Sequence, residues 1–188
     1  YEPTTEHDAC GVGFVADLNK PKSHATIQRA LKVLANMQHR GAVGSDPQTG
    51  DGAGILFGLD HLFLSAVAKS SGFTLPQEGQ YATGLVFLPR KADLQKACIE
   101  LCEAAIVTEG FSLIGWREVP VEPNALGSLA RKSAPYIVQL FVGSTEKLES
   151  RTLERKLYVL RRIIEKQIAL SSILSDVMFH IPSLSSKT

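Results

Sequence analysis

Three local patterns in this chain have residue types that can do chemistry. Cys10 stands ahead of Gly11-Val12-Gly13-Phe14. Neighbours without side chains let a substrate or another backbone come close, so a thiol there could meet a substrate. A lone cysteine is also a good small core residue, and that reading stays open. The second pattern is Gln38-His39-Arg40-Gly41. Arg40 carries a planar fork of donors that matches a carboxylate, and His39 could take up a proton. Alternatively, a basic residue here complements the dipole of a helix end, Gly41 makes the turn that follows, and His39 is a solvated or capping residue. The third is Thr49-Gly50-Asp51-Gly52-Ala53-Gly54, a loop whose bared amides can meet an anion, or a tight turn that needs glycine for sterics alone.

The other two cysteines read differently. Cys98 and Cys102 share a helical face with Leu94, Ala97, Leu101 and Ala105, which makes them small buried hydrophobes. A metal pair would need two further ligands, and neither His nor Cys lies nearby in sequence. Three cysteines are an odd number, against a disulfide framework and in keeping with a reducing compartment.

The elements that must position these groups follow from periodicity. Residues 10–17 alternate as a strand, and 54–58 reads as a second, short one. Ser23 can cap a helix whose face carries Ile27, Ala30, Leu31, Leu34 and Met37, ending near His39. Between 41 and 54 lies a long loop rich in Gly, Asp, Ser and Pro, a type that is usually functional or mobile. Beyond it the pattern predicts a helix at 62–69, a strand at 81–88, a helix at 92–107 and strands at 112–119 and 137–142. A long helix at 148–168 bears the stripe Leu153, Leu157, Leu160, Ile164 and Ile168, and 177–181 begins another strand. Strands and helices mix without a dinucleotide-binding glycine fingerprint, so the fold class is α+β and not a doubly wound sheet.

Composition excludes some functions. The 188 residues are 44% hydrophobic and 21% charged with a formal net charge of +1, an ordinary globular balance with no field for nucleic acid or an anionic membrane. No apolar run is long enough to span a bilayer. The polar, acidic start Tyr1-Glu2-Pro3-Thr4-Thr5-Glu6-His7-Asp8 reads as neither a secretory signal nor a transit peptide. The chain is read as one domain or part of a larger one. Ser185-Ser186-Lys187-Thr188 offers no closing element, so a segment of a longer polypeptide is expected.

In order along the chain, Cys10-Gly11-Val12-Gly13, His39-Arg40-Gly41 and Thr49-Gly50-Asp51-Gly52-Ala53-Gly54 resemble the amino-terminal, class II glutamine amidotransferase domain of the glutamate synthase family. Gly115-Trp116-Arg117-Glu118-Val119-Pro120, Arg155-Lys156-Leu157-Tyr158 and Phe179-His180-Ile181-Pro182-Ser183-Leu184-Ser185 resemble further segments of it. The resemblance implies an N-terminal-nucleophile fold, a four-layer α/β/β/α sandwich incomplete at the carboxyl end. It implies hydrolysis of glutamine to glutamate and ammonia, the ammonia then combining with 2-oxoglutarate in a synthase domain of the same polypeptide. By the same resemblance Cys10 is the nucleophile, Arg40 binds the substrate carboxylate or organises the site, and Gly50, Asp51 and Gly52 line it. FMN and an iron–sulfur cluster are expected in the rest of the parent enzyme and none in this segment. Partners would be glutamine, the synthase domain, and a second copy or a small reductase subunit, but neither nucleic acid nor membrane. The expected location is the cytoplasm, with a plastid or other organelle as the alternative.

Two departures shape that expectation. Residues 1–9 look like the tail of a pro-segment, so domain 10–188 is expected to act only once Cys10 has a free α-amine to serve as base. The family also stabilises its oxyanion with an Asn-Gly pair, and this chain holds no Asn-Gly. Losing such a donor costs about 2.7–4 kcal/mol of transition-state stabilisation, so the pair is expected beyond Thr188 and the 188 residues alone are expected to be inactive. These departures also motivate the alternative of a non-catalytic, unprocessed interaction domain. A cysteine hydrolase using His39, His61 or His180 as base is a third reading.

Overall fold

Runs rich in β-branched and aromatic residues form one antiparallel sheet, and the helices around it carry apolar stripes that cover its faces. The computed structural model describes residues 11–18, 22–41, 46, 48–50 and 52–188. In chain order the elements are α1 (His24–Asn36), a 3-10 turn (Gln38–Arg40), α2 (His61–Ser70), β1 (Tyr81–Leu88), α3 (Ala92–Thr108), β2 (Phe111–Glu118), a second 3-10 turn (Pro123–Ala125), α4 (Ser128–Ser133), β3 (Tyr136–Ser144) and α5 (Ser150–Leu170). They fall into two units. One is Gly58–Val121 with Ala134–Thr188; the other is the described part of Tyr1–Phe57 with Glu122–Ser133.

In the first unit the strand order is β1-β3-β2, every neighbour antiparallel. Val86, Leu88, Val138, Leu140 and Val142 on one face pack against Cys98, Cys102 and Ile106 of α3 and the stripe Leu153, Leu157, Leu160, Ile164 and Ile168 of α5. Those five stripe residues, spaced by three and four, are all buried. Each contributes roughly 1.5–3 kcal/mol of apolar transfer. On the opposite face Tyr81 and Phe141 pack with Leu64 of α2, joined by Phe73 and Ile114.

β2 carries one residue too many for its ladder. Leu113 pairs with Val142 and Gly115 with Phe141, which leaves Ile114 as a bulge. A bulge re-aims the side chains that follow it. Phe111 and Trp116, an odd number of positions apart, therefore both reach the α3 side, where Trp116 Nε1 donates to Glu103 Oε1 at 2.9 Å. Gly115 faces the Phe73 ring, and a Cβ there would lie 2.6 Å from it.

The free edge of β1 is covered by the segment that ends the chain. Thr83 exchanges backbone hydrogen bonds with Ser185, and Phe87 with His180. Five steps on this segment answer four on β1, and Pro182 between them has no N–H to give. The expected strand at 177–181 is thus reduced to bridges. α5 holds the segment from behind: Arg161 Nη1 donates to the carbonyls of Ile181 and Pro182, and Glu154 accepts from Ser185 Oγ, Ser186 N and Ser186 Oγ at 2.6–2.9 Å.

In the second unit α1 turns Ile27, Ala30, Val33, Leu34 and Met37 inward to partial burial, while Leu31 stays exposed. Ser23 occupies the N-cap with extended backbone but makes no side-chain cap bond. Gly13 lies against this helix; a Cβ would come within 2.6 Å of Val33 Cγ1.

The strands expected at 10–17 and 54–58 are corrected. Described residues 11–17 and 54–58 form neither strand nor helix, and Val12 and Phe14 are 89% and 92% exposed. Alternation marks a two-faced segment, but a strand exists only where a neighbour completes a ladder of hydrogen bonds, and these described residues belong to no such ladder. The α+β class is observed; among the described residues there is one named sheet, not the two of a four-layer sandwich.

Candidate functional site

The first site segment is built by the end of α1. Met37 N–H reaches back to the carbonyls of Val33 and Leu34, and the chain tightens into the 3-10 turn Gln38–Arg40. His39 Nδ1 lies 3.1 Å from the Asn36 carbonyl. A carbonyl only accepts, so Nδ1 carries the proton and the ring caps the helix end. That is the capping role open to it in the sequence. Gly41 departs from the turn role offered for it: at φ −86° and ψ 146° it is extended and not left-handed, so Gly41 N–H closes on the Gln38 carbonyl at 3.2 Å without needing glycine's freedom.

The second segment leads into the glycine loop. Asp46 O accepts from Thr49 N at 2.9 Å, closing a turn, and Asp46 Oδ1 accepts from Gln48 N at 3.1 Å. Asp46 Oδ2 accepts from Thr49 Oγ1 at 3.0 Å, Ser128 Oγ at 3.1 Å and Leu129 N at 3.3 Å. Thr49 Oγ1 accepts in turn from Ala130 N at 3.3 Å, and Gln48 O accepts from Gly127 N at 3.3 Å. The Gln48 amide above all, with Thr49, Leu129 and Ser128, holds the Asp46 carboxyl down at about 2 against the opposing effect of burial. It is therefore a carboxylate at any working pH. Gly127 is forced by this packing: a Cβ would lie 2.3 Å from Thr49 Oγ1 and 2.6 Å from Asp46 Oδ2.

Further along, Gly52 has φ +87°, a backbone that L residues adopt only under strain. Gly50, Gly52 and Gly54 are exposed, and a Cβ at Gly52 or Gly54 would meet nothing within 4 Å.

Of the residues the sequence singles out, Gly50 and Gly52 are placed in this loop, and Arg40 closes the 3-10 turn in the same unit. Cys10, Asp51 and residues 1–9 lie outside the described residues, as does the Arg40 side chain. Sequence reasoning missed Asp46, Gly127 and α4, and named Thr49 only as the start of the glycine motif. A Ser ahead of Leu129-Ala130-Arg131-Lys132 was the available signal for a short helix; nothing local signals its partner more than 80 positions away.

The remaining candidates sit in the other unit. Cys98 and Cys102 are fully buried, and burial pushes both thiols up. This is the core role expected of them. His61 stands 3.1 Å from Tyr81 Oη through Nδ1 and 3.4 Å from Ser65 Oγ through Nε2, and His180 is paired by its backbone to the edge of β1. Among the described residues no three His, Cys, Asp or Glu side chains gather as a metal site, and no helix is long and apolar enough to cross a membrane.

The model of the family described as class-II glutamine amidotransferases matches residues 10–188. The chain is 39% identical, over its whole length, to 12% of the glutamate synthase [NADPH] large chain of Bacillus subtilis. It is 36% identical over its whole length to 9% of the glutamate synthase [NADH] of Saccharomyces cerevisiae. Over 98% of its length it is 34% identical to 11% of the ferredoxin-dependent glutamate synthase 1, chloroplastic/mitochondrial, of Arabidopsis thaliana. The chain thus spans 9–12% of the length of these relatives.

Proposed function

The chain belongs to the class-II glutamine amidotransferases, and from that premise we propose that it is the glutaminase segment of a glutamate synthase, with Cys10 as nucleophile. The observation that carries this reading is the family match, which begins at Cys10 itself and runs through both site segments to residue 188. The full-length similarity to glutamate synthases using three different electron donors supports the parent's identity, and leaves the donor unassigned.

In this mechanism residues 1–9 are removed as a pro-segment. The freed α-amine of Cys10, with a reference pKa near 8, takes the thiol proton. Sγ attacks the side-chain amide carbon of glutamine, the C–N bond breaks, and ammonia leaves with the proton returned by the amine. Water then adds to the thioester, the C–S bond breaks, and glutamate and the thiol are released. Arg40 takes the substrate carboxylate or organises the site, and Gly50, Asp51 and Gly52 line it. The four-layer sandwich, the Asn-Gly oxyanion pair beyond Thr188 and transfer of ammonia to 2-oxoglutarate by a synthase domain belong to the same proposal. So does a second copy or a small reductase subunit as partner. FMN and an iron–sulfur cluster would supply the synthase's redox chemistry; the described residues offer no ligand set that fits a cluster, because Cys98 and Cys102 are core packing. The cytoplasm is the proposed location, or an organelle as for the chloroplastic/mitochondrial relative of Arabidopsis.

The test is ammonia release from glutamine by the complete polypeptide, with its amino terminus determined by mass. Cys10 first in the active species, and loss of hydrolysis in Cys10→Ala, are the expected results. Full turnover with residues 1–9 still attached would defeat the mechanism.

A further inference from the structure

We propose that Asp46, acting with Thr49 and Gly127, is a positioning residue for glutamine recognition, because it ties the base of the glycine loop to the start of α4. The proposal rests on the glutaminase reading, in which Gly50, Asp51 and Gly52 line the substrate site. The Asp46 carboxylate accepts from Gln48 N on Oδ1 and from Thr49 Oγ1, Ser128 Oγ and Leu129 N on Oδ2. Its contacts join the loop to α4 through two backbone amides and two hydroxyls, which is a holding role.

The arrangement is a helix cap assembled from a distance. The residue before α4, Gly127, has no side chain, so the acceptors a cap residue would provide come from Asp46 and Thr49. A six-residue helix is not stable by itself, and α4 contains no buried residue, so core packing does not explain it. What α4 supplies is a set of donors that meet Asp46 and Thr49, and Gly127 ahead of it leaves room for them. The loop gains more from the tie than the helix does. Its glycines lose much conformational freedom on ordering, and fixing residue 49 next to Gly50 removes part of that loss before substrate arrives.

The experiment compares Asp46→Ala, Gly127→Ala, Thr49→Val and Thr49→Ser in the complete, processed polypeptide. Glutamine KM and kcat are read beside the rate at which Cys10 is inactivated by a glutamine-shaped diazoketone and by iodoacetamide, which needs no recognition. Asp46→Ala, Gly127→Ala and Thr49→Val are expected to raise KM about tenfold and slow the diazoketone to match, the effect of losing hydrogen bonds to a charged acceptor. Iodoacetamide should react at the wild-type rate, and Thr49→Ser, which keeps the hydroxyl, should restore wild-type KM. Wild-type KM and diazoketone rates in the first three variants overturn the proposal; so does equal slowing of both reagents, which marks general loss of structure. If Asp46→Ala or Gly127→Ala fails to fold, the Thr49→Val and Thr49→Ser pair decides by the same criteria. Wild-type hydrolysis by Cys10→Ala would instead refute the glutaminase reading, whatever the loop variants do.

Discussion

Gly52 and Gly54 offer an internally controlled perturbation of the loop. Neither would bring a Cβ within 4 Å of a described atom, so sterics do not separate Gly52→Ala from Gly54→Ala. Backbone conformation does, since Gly52 has φ +87° and Gly54 is not among the glycines with positive φ. Placing an L side chain in the left-handed region costs about 1–2 kcal/mol. Removing a glycine's freedom from the unfolded chain returns about 0.4–1 kcal/mol wherever the native conformation accepts alanine. The loop can escape the strain by leaving its native conformation, so the loss should fall on substrate binding more than on global melting. At 1.4 kcal/mol per tenfold, Gly52→Ala should raise glutamine KM about 5–30-fold, and Gly54→Ala by less than about twofold. The assay is initial-rate ammonia release by the complete polypeptide, with melting temperature as control. Equal KM changes in the two variants would refute the argument that φ at position 52 sets the loop's binding shape.

Other consequences follow from the packing. Leu157→Ala removes a fully buried side chain between α5 and the sheet and should cost about 2–5 kcal/mol in denaturant unfolding, whereas exposed Tyr158→Ala should cost under about 1 kcal/mol. Glu154→Gln leaves one acceptor oxygen where two receive Ser185 and Ser186; it should loosen that segment by about 1–3 kcal/mol, seen as faster exchange of the Thr83 and Ser186 amides with Val138 unchanged. The Asp46 carboxyl is depressed from 3.8 to about 2, so its contribution is present above the ordinary value and is lost as pH falls through the folded one. Leu129 amide protection should therefore hold from pH 7 to about 4 and fade toward about 2. Cys98 and Cys102, buried with raised thiols, should resist iodoacetamide until the chain unfolds, and early alkylation of either, read by peptide mass, would contradict the packing.

The elements legible in the sequence are those whose periodicity coincides with burial. The α5 stripe and β1 at 81–88 were read almost residue for residue, because one face of each meets the core. The ends of β2 and β3 shift by one or two positions, since only pairing decides where a ladder stops. Residues 11–17 alternate just as well yet form no strand, and the alternation alone could not report that. In the candidate site, the glycines at 50 and 52 were visible as types. The role of Asp46 was not, because its partners at 128 and 129 are fixed by the fold and leave no local pattern.

The bulge in β2 bears on how much the length of that strand can vary. Every pair before Ile114 and every pair after it is in register with β3, so a chain shortened by that one position would keep Trp116 against α3. What would vanish is an aliphatic contribution to the cluster around Tyr81 and Phe141. The ladder counts partners, not residues, and β2 can lose a letter there without its later side chains changing sides.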